Sequence, residues 1–335
     1  MDDRALRPSC SLGSPWSPTY TRARGEALSA EAVAAAAGDP RAEAAALNAR
    51  HVALWRPDRL RERLATAARM LATARVARDR HLELQAHNWR VTDLFELGDL
   101  PAWREEVRRH AALADELRLP LFQWYTPLWA AVDALHAGRF DEARALRAEA
   151  FAAGDGAGDG NALLFVQMLD IQEGFLRGDF ACIDLDLFRD KVARSPAGSA
   201  WRCGYTWCLA ELGHADEAAA HLAEIAADGY AALPFDVNWA SAVGECAEAC
   251  TILDAAGPAA SLYELLTPYA GRPLTAGRAL LSFGSADRHL GGLATVLGRR
   301  DAAIAHYERA IALDTAAGLQ PWVARARASL ARLTA

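Results

Sequence analysis

The chain has 335 residues, 52% of them hydrophobic, with a formal net charge of -7. This length exceeds what one compact core of roughly 250–300 residues can hold, so two domains or an elongated array is expected. The acidic balance disfavours DNA or RNA as a direct partner, and no apolar run approaches the ~20 residues of a membrane span.

Residues 1–24 mix Pro, Ser, Gly and charge without the apolar stretch of a secretory signal, and are expected to form a mobile lead-in. Six cysteines are too few for a disulfide scaffold, which makes a reducing cytoplasm the expected compartment. Only Lys191 is a lysine; the other basic residues are arginines.

From residue 25 onward a turn signal recurs. "LWRPDRLRERL" at Arg56 is followed by "ELGDLPAW" at Gly98, "AGRFDEA" at Gly138 and "RGDFACI" at Gly178. "LGHADEA" at Gly213, a weaker "AAGPAASLYELL" at Gly257 and "LGRRDAAIAHYERAIALD" at Gly298 complete the series. Successive intervals between these positions are 42, 40, 40, 35, 44 and 41 residues, the mark of a helical repeat array. Each unit reads alike. An apolar helix ends at a glycine suited to a left-handed C-cap, and an acidic residue often opens the next helix. In the last unit Ala303 and Ala310 let two helix backbones approach, with Tyr307 filling the groove between them. Helical periodicity in Leu290, Leu293, Ala294 and Leu297 supports this pairing, and no hairpin-type strand pattern is legible.

The fold expected is therefore all-α: a right-handed α-solenoid over residues 25–335, of about seven helical hairpins, closed by a helix from about Pro321. Leu290-Gly291, Ala294, Gly298, Ala303, Tyr307 and Ala310 resemble a tetratricopeptide repeat, with Asp287 where a Trp is usual and Thr315 where a Pro is usual. Units longer than ~34 residues, together with "ALNARHVALWRPDRL", "NWRVTDLFELGD", "LYELLTPYAGRPL" and the segment from "GSADRHLGGL" onward, resemble the C-terminal sensor arm of actinobacterial STAND/AAA ATPase regulators. Such arms occur in LuxR-type, SARP-type and cyclase-linked proteins. The resemblance implies a regulatory binding module, in signal transduction or transcription regulation, that lacks the motor and the DNA reader.

Linear catalytic motifs are missing. "AAGDGAGDGNA" carries no Lys and no following Ser or Thr, so it reads as a flexible connection and not a phosphate loop. His214, Glu217 and His221 share one helix face, and Cys203, Cys208, Cys246 and Cys250 fall on neighbouring units. Both sets have metal-ligating chemistry, but solvated-face and small-core roles explain them more simply. "DLDLFRD" (Asp184 to Asp190) reads as an amphipathic helix with a charged face. No catalytic residue, metal or cofactor is assigned.

The ten tryptophans are the strongest local signal. Most lie on first helices of hairpins, which in tetratricopeptide proteins line the concave surface. The resemblance places Asn88, Thr92, Tyr125, His136, Gln172, Trp207 and Arg288 on inward-pointing positions. These suit a small-molecule or peptide ligand, or a partner protein; the alternative is that the Trp rings only wedge between units. A homo-oligomer is left open. From another functional class comes a solenoid repurposed as an enzyme or carrier in natural-product biosynthesis, using an aromatic-lined pocket.

Overall fold

The computed structural model of the chain describes residues 18–180, 183–194 and 199–335. It is an all-α helical-repeat fold with one small β-hairpin. Residues 1–17, which include Trp16, lie outside the described residues. Helix α1 (Pro18–Ala35) starts inside the segment expected to be lead-in.

Among the described residues the helices that follow run in chain order as neighbours, six couples of them packed as pairs. They are α2 (Pro40–Ala53) with α3 (Leu60–Ala77), α4 (Arg80–Leu97) with α5 (Leu100–Leu117), and, after the short α6 (Pro120–Gln123), α7 (Tyr125–His136) with α8 (Phe140–Gly156). Next come α9 (Ala162–Arg177), which packs on α8, and α10 (Leu185–Ala193), which packs on α11, then α11 (Ala200–Glu211) with α12 (Ala215–Ala226), α13 (Trp239–Ile252) with α14 (Ala256–Leu266), and α15 (Ala286–Val296) with α16 (Arg300–Ala317). Helix α17 (Gln320–Thr334) ends the array.

The turn chemistry explains this spacing. Gly98, Gly138, Gly178, Gly213 and Gly298 all take left-handed φ, between 68 and 82°. Aspartates cap the helices that follow: Asp79 accepts from Leu82 N and Asp99 from Ala102 N. Two assignments need correction. Gly257 lies inside α14, and the left-handed turn there is Asp254, at φ 49°. Arg56 is extended ahead of a 3-10 turn at Pro57–Arg59, so that hairpin closes by a different geometry. Arginines take the left-handed position at Arg78 and Arg118, which is why those turns are silent in sequence.

The Gly-rich run is also more ordered than a flexible connection. Helix α8 continues through Gly156. A Cβ on Gly154 would lie 2.6 Å from Ala162 Cβ, and Asp159 accepts from Trp124 Nε1 at 3.1 Å. Ala303 and Ala310 are fully buried with Tyr307 beside them, and a Cβ on Gly291 would meet the Tyr307 ring at 2.9 Å. Small residues thus mark close helix approach at that pair.

The largest departure is the hairpin. Strands β1 (Pro273–Ala276) and β2 (Leu281–Ser285) pair antiparallel between α14 and α15, with Thr275 opposite Ser282 and Ala276 opposite Leu281. They run through the middle of the array: β1 packs on α4 and α13, and β2 on α9, α15, α16 and α17. Gln172 Nε2 and Trp322 Nε1 both donate to the Ser282 carbonyl, at 2.6 and 3.0 Å. A Cβ on Gly284, itself at φ +73°, would lie 2.9 Å from Trp322 Cγ, so the strand can pass that ring only as glycine. Helix α17 folds back on α9, with Arg325 bonded to Glu211 at 2.9 Å. The interior that the repeat pattern reserves for an open concave surface is filled by the chain itself.

Candidate functional site

The hairpin changes what the seven inward-pointing residues do. Six are buried, at 1–6% exposure: Asn88, Thr92, His136, Gln172, Trp207 and Arg288. Tyr125 is half-buried, its ring against Trp124 and Trp129. They do not form one open surface. Thr92 Oγ1 donates to the Asn88 carbonyl within α4. His136 stacks on Phe95 and lines a cavity of about 240 Å3 beneath the Gly98 turn, together with Asp314. Burial pushes His136 down to about 4 and Asp314 up to about 7.

Arg288 is committed elsewhere. Its guanidinium bonds Glu248 at 2.8 Å and the Phe283 carbonyl at 3.2 Å, and lies 4.7 Å over the Trp322 ring. Glu248 also sits 2.9 Å from His289 Nδ1. Burial alone would raise the Glu248 carboxyl, but Arg288, His289 and Arg325 overcome it and hold the group well below the carboxylate range. This ion-pair network fixes α13 to α15 and to the hairpin, although Arg288 Nε has no hydrogen-bond partner.

Gln172 and Trp207 do converge. They line a half-open apolar cavity of about 230 Å3 between α9, α11, α13 and the hairpin, which contributes Ala276, Gly277, Leu280, Leu281 and Phe283. Trp207 stacks on Phe175 at 3.7 Å and meets Phe283 edge-on at 5.8 Å, while its Nε1 donates to Glu211. On the α9 side, Leu164, Met168, Ile171, Phe188 and Trp201 also line an outer cleft of about 770 Å3. That cleft carries Arg144, Arg147, Arg177 and Lys191 with Asp170, Glu173, Asp179 and Asp184, so its formal charges cancel.

One group stands out in the cavity wall. Glu245, on α13, makes no hydrogen bond or ion pair with any described residue, and its Oε2 is fully buried. The part of its surface that stays open faces the cavity. A Cβ on Gly204 of α11 would sit 3.5 Å from its Oε1. Burial, reinforced by the neighbouring Cys203 thiol, raises Glu245 well above the usual carboxyl range. The shift favours the neutral acid, a form able both to donate and to accept. Buried polar groups almost always have partners, and a strongly perturbed carboxyl in a cavity is a candidate functional group.

Glu245 and Gly204 escape a reading of sequence alone. Within "WASAVGECAEAC", Glu245 and Glu248 look like the solvated stripe of an amphipathic helix, and Gly204 like a weak helix residue. The thiols Cys203, Cys208, Cys246 and Cys250 are buried in small-residue helix contacts. Glu217 accepts from the Tyr205 hydroxyl at 3.1 Å, and His221 packs edge-on to that ring. Asp186 pairs with Arg189 on α10. Among the described residues no group of three His, Cys, Asp or Glu side chains is gathered as for a metal ion, and no helix is long and apolar enough to cross a membrane. Compared with known proteins, the chain matches no family model and has no significant match among curated proteins.

Proposed function

We propose that this chain is a ligand-binding helical-repeat module whose ligand is a small molecule held in the cavity between α9, α11, α13 and the hairpin. The observation that carries the reading is a carboxyl, Glu245, that lines a half-open aromatic cavity and has no hydrogen-bond or ion-pair partner among the described residues. Cavities of this kind, apolar with a few convergent polar groups, are where small ligands bind. A peptide segment is the poorer fit, because the chain's own hairpin already occupies the interior that such a segment would need.

The resemblance to tetratricopeptide sensor arms supplies the regulatory half of the proposal. A ligand here touches α9, α11, α13 and the hairpin at once, so occupancy favours the closed arrangement in which α17 packs on α9. A ligand biases such an equilibrium only through its differential affinity for the two states. A partner protein reading the closed surface would then report occupancy.

Native mass spectrometry of protein purified from its own host tests the reading. The wild type should retain one small molecule. Gly204→Leu, which places a side chain into the cavity beside Glu245, should retain none while keeping its helical circular dichroism. Equal retention by both proteins would place the ligand elsewhere.

A further inference from the structure

The cavity's composition narrows the ligand. Its wall carries the rings of Trp201, Trp207, Phe165, Phe175, Phe188 and Phe283, one carboxyl, and no Arg, Lys or His among the lining residues. Aromatic faces attract cations through the ring quadrupole, most strongly where water is excluded. Glu245 is the one carboxyl in the lining, and no cation among the described residues pairs with it. From the geometry we infer that the cavity selects an organic cation, an apolar amine or ammonium, whose charged nitrogen pairs with Glu245 while its body lies against the rings. This inference rests on the cavity being the ligand site.

A neutral ligand leaves Glu245 much as it is. An anion would face a carboxyl and aromatic rings with no cation in the lining; Lys191, 5.3 Å over the Trp201 ring, belongs to the outer cleft. An ammonium supplies what the site lacks: it stabilises the ionised form of Glu245, as a buried pair requires. The balance is one proton. The neutral acid releases its proton to solvent as the ammonium enters, and the complex holds one carboxylate and one cation. The titratable groups near Glu245 are the thiols Cys203 of α11 and Cys246 of its own helix, with Cys208 lining the cavity. None of these is basic; Lys191 of α10 lies over the Trp201 ring at 5.3 Å but is not among the lining residues and does not bear on Glu245.

A matched pair of probes tests this: 2-phenylethylamine, charged at pH 7, and the near-isosteric neutral 2-phenylethanol. Titration calorimetry in two buffers of different ionisation enthalpy reads both affinity and protons released. The wild type should bind the amine at least tenfold tighter than the alcohol and release close to one proton per amine and none per alcohol. In Glu245→Gln the amine should fall to the affinity of the alcohol, whose own binding stays unchanged. Proton release is read on the wild type, so the test survives if the variant misfolds. Equal binding of the two probes, or a preference for the amine that persists in Glu245→Gln, would overturn the cation inference while leaving the cavity as the site. If neither probe binds up to millimolar concentration, or if both bind Gly204→Leu as well as the wild type, the cavity reading itself fails and the inference with it.

Discussion

Glu245 and Glu248 lie three residues apart on α13, and the two carboxyls belong to opposite designs. Glu248 is met by Arg288 and His289 from the next repeat and is held ionised. Glu245 lines the aromatic cavity, has no hydrogen-bond or ion-pair partner among the described residues, and burial favours its neutral form. Helix, residue type and depth are shared; what differs is whether the chain supplies a counter-charge. Where it does, the carboxylate fixes architecture. Where it does not, a neutral acid remains available to a ligand.

The largest expected effect breaks the first of these sites. Glu248→Ala leaves the buried Arg288 without its carboxylate and should cost about 3–5 kcal/mol, read as a fall in the midpoint of urea unfolding. A loss under ~1 kcal/mol, the range of an exposed pair, would show that the network is solvated and the contrast with Glu245 unfounded.

Trp207→Ala comes next. It removes a ring that stacks between Phe175 and the hairpin, and about 3–5 kcal/mol of stability should go with it. Binding of a cavity ligand should weaken too, so melting and binding must be measured on the same protein. Undiminished stability would place the ring in an open groove instead of a wall.

Ala303→Leu probes close helix approach away from both carboxyls. Overpacking against α15 and Tyr307 should cost about 1–3 kcal/mol. An unchanged melting temperature would mean that α15 and α16 are looser than their fully buried alanines indicate.

Glu245→Gln should have the smallest effect at low pH and a pH-dependent gain above it. The folded-state pKa of Glu245 is raised, so its contribution is fully present below the unfolded value of about 4.3 and is lost as pH rises through the folded value. The variant has no such loss. Its melting temperature relative to wild type should therefore climb between pH 5 and pH 8. Glu248 has the opposite sign: its stabilisation is complete above the unfolded value and fades only in strong acid. A flat difference between Glu245→Gln and wild type across that range would mean that Glu245 is ionised throughout.

Much of the array is legible in the sequence because its turns use residues with one physical role. Gly98, Gly138, Gly178, Gly213 and Gly298 sit at left-handed φ, and that conformation selects glycine. Where Asp254 or Arg118 takes the same conformation, the signal vanishes. The hairpin is hidden for a different reason. Leu281–Ser285 alternates apolar and polar residues over only five positions, all of them buried, and β1 is four residues that open on Pro273, so neither strand is long enough to stand out from the helical pattern around it. Losing the hairpin loses the site, since the hairpin closes the cavity and covers the concave positions. Gln172 and Trp207 are found by their place on first helices. Arg288 is found the same way, yet its partner Glu248 is one turn from the unpartnered acid, and nothing linear tells the two apart.

Carboxyl-carbon NMR of 13C-labelled glutamate, with the Glu245 resonance assigned by its loss in Glu245→Gln, tests the central claim most directly. Glu245 should remain protonated at pH 7 in the ligand-free protein and should move to the ionised shift when 2-phenylethylamine is added. Titration of that resonance near the ordinary glutamate value of about 4.3, with no response to the amine, would mean a solvated carboxylate and would contradict both the neutral acid and the cavity built around it.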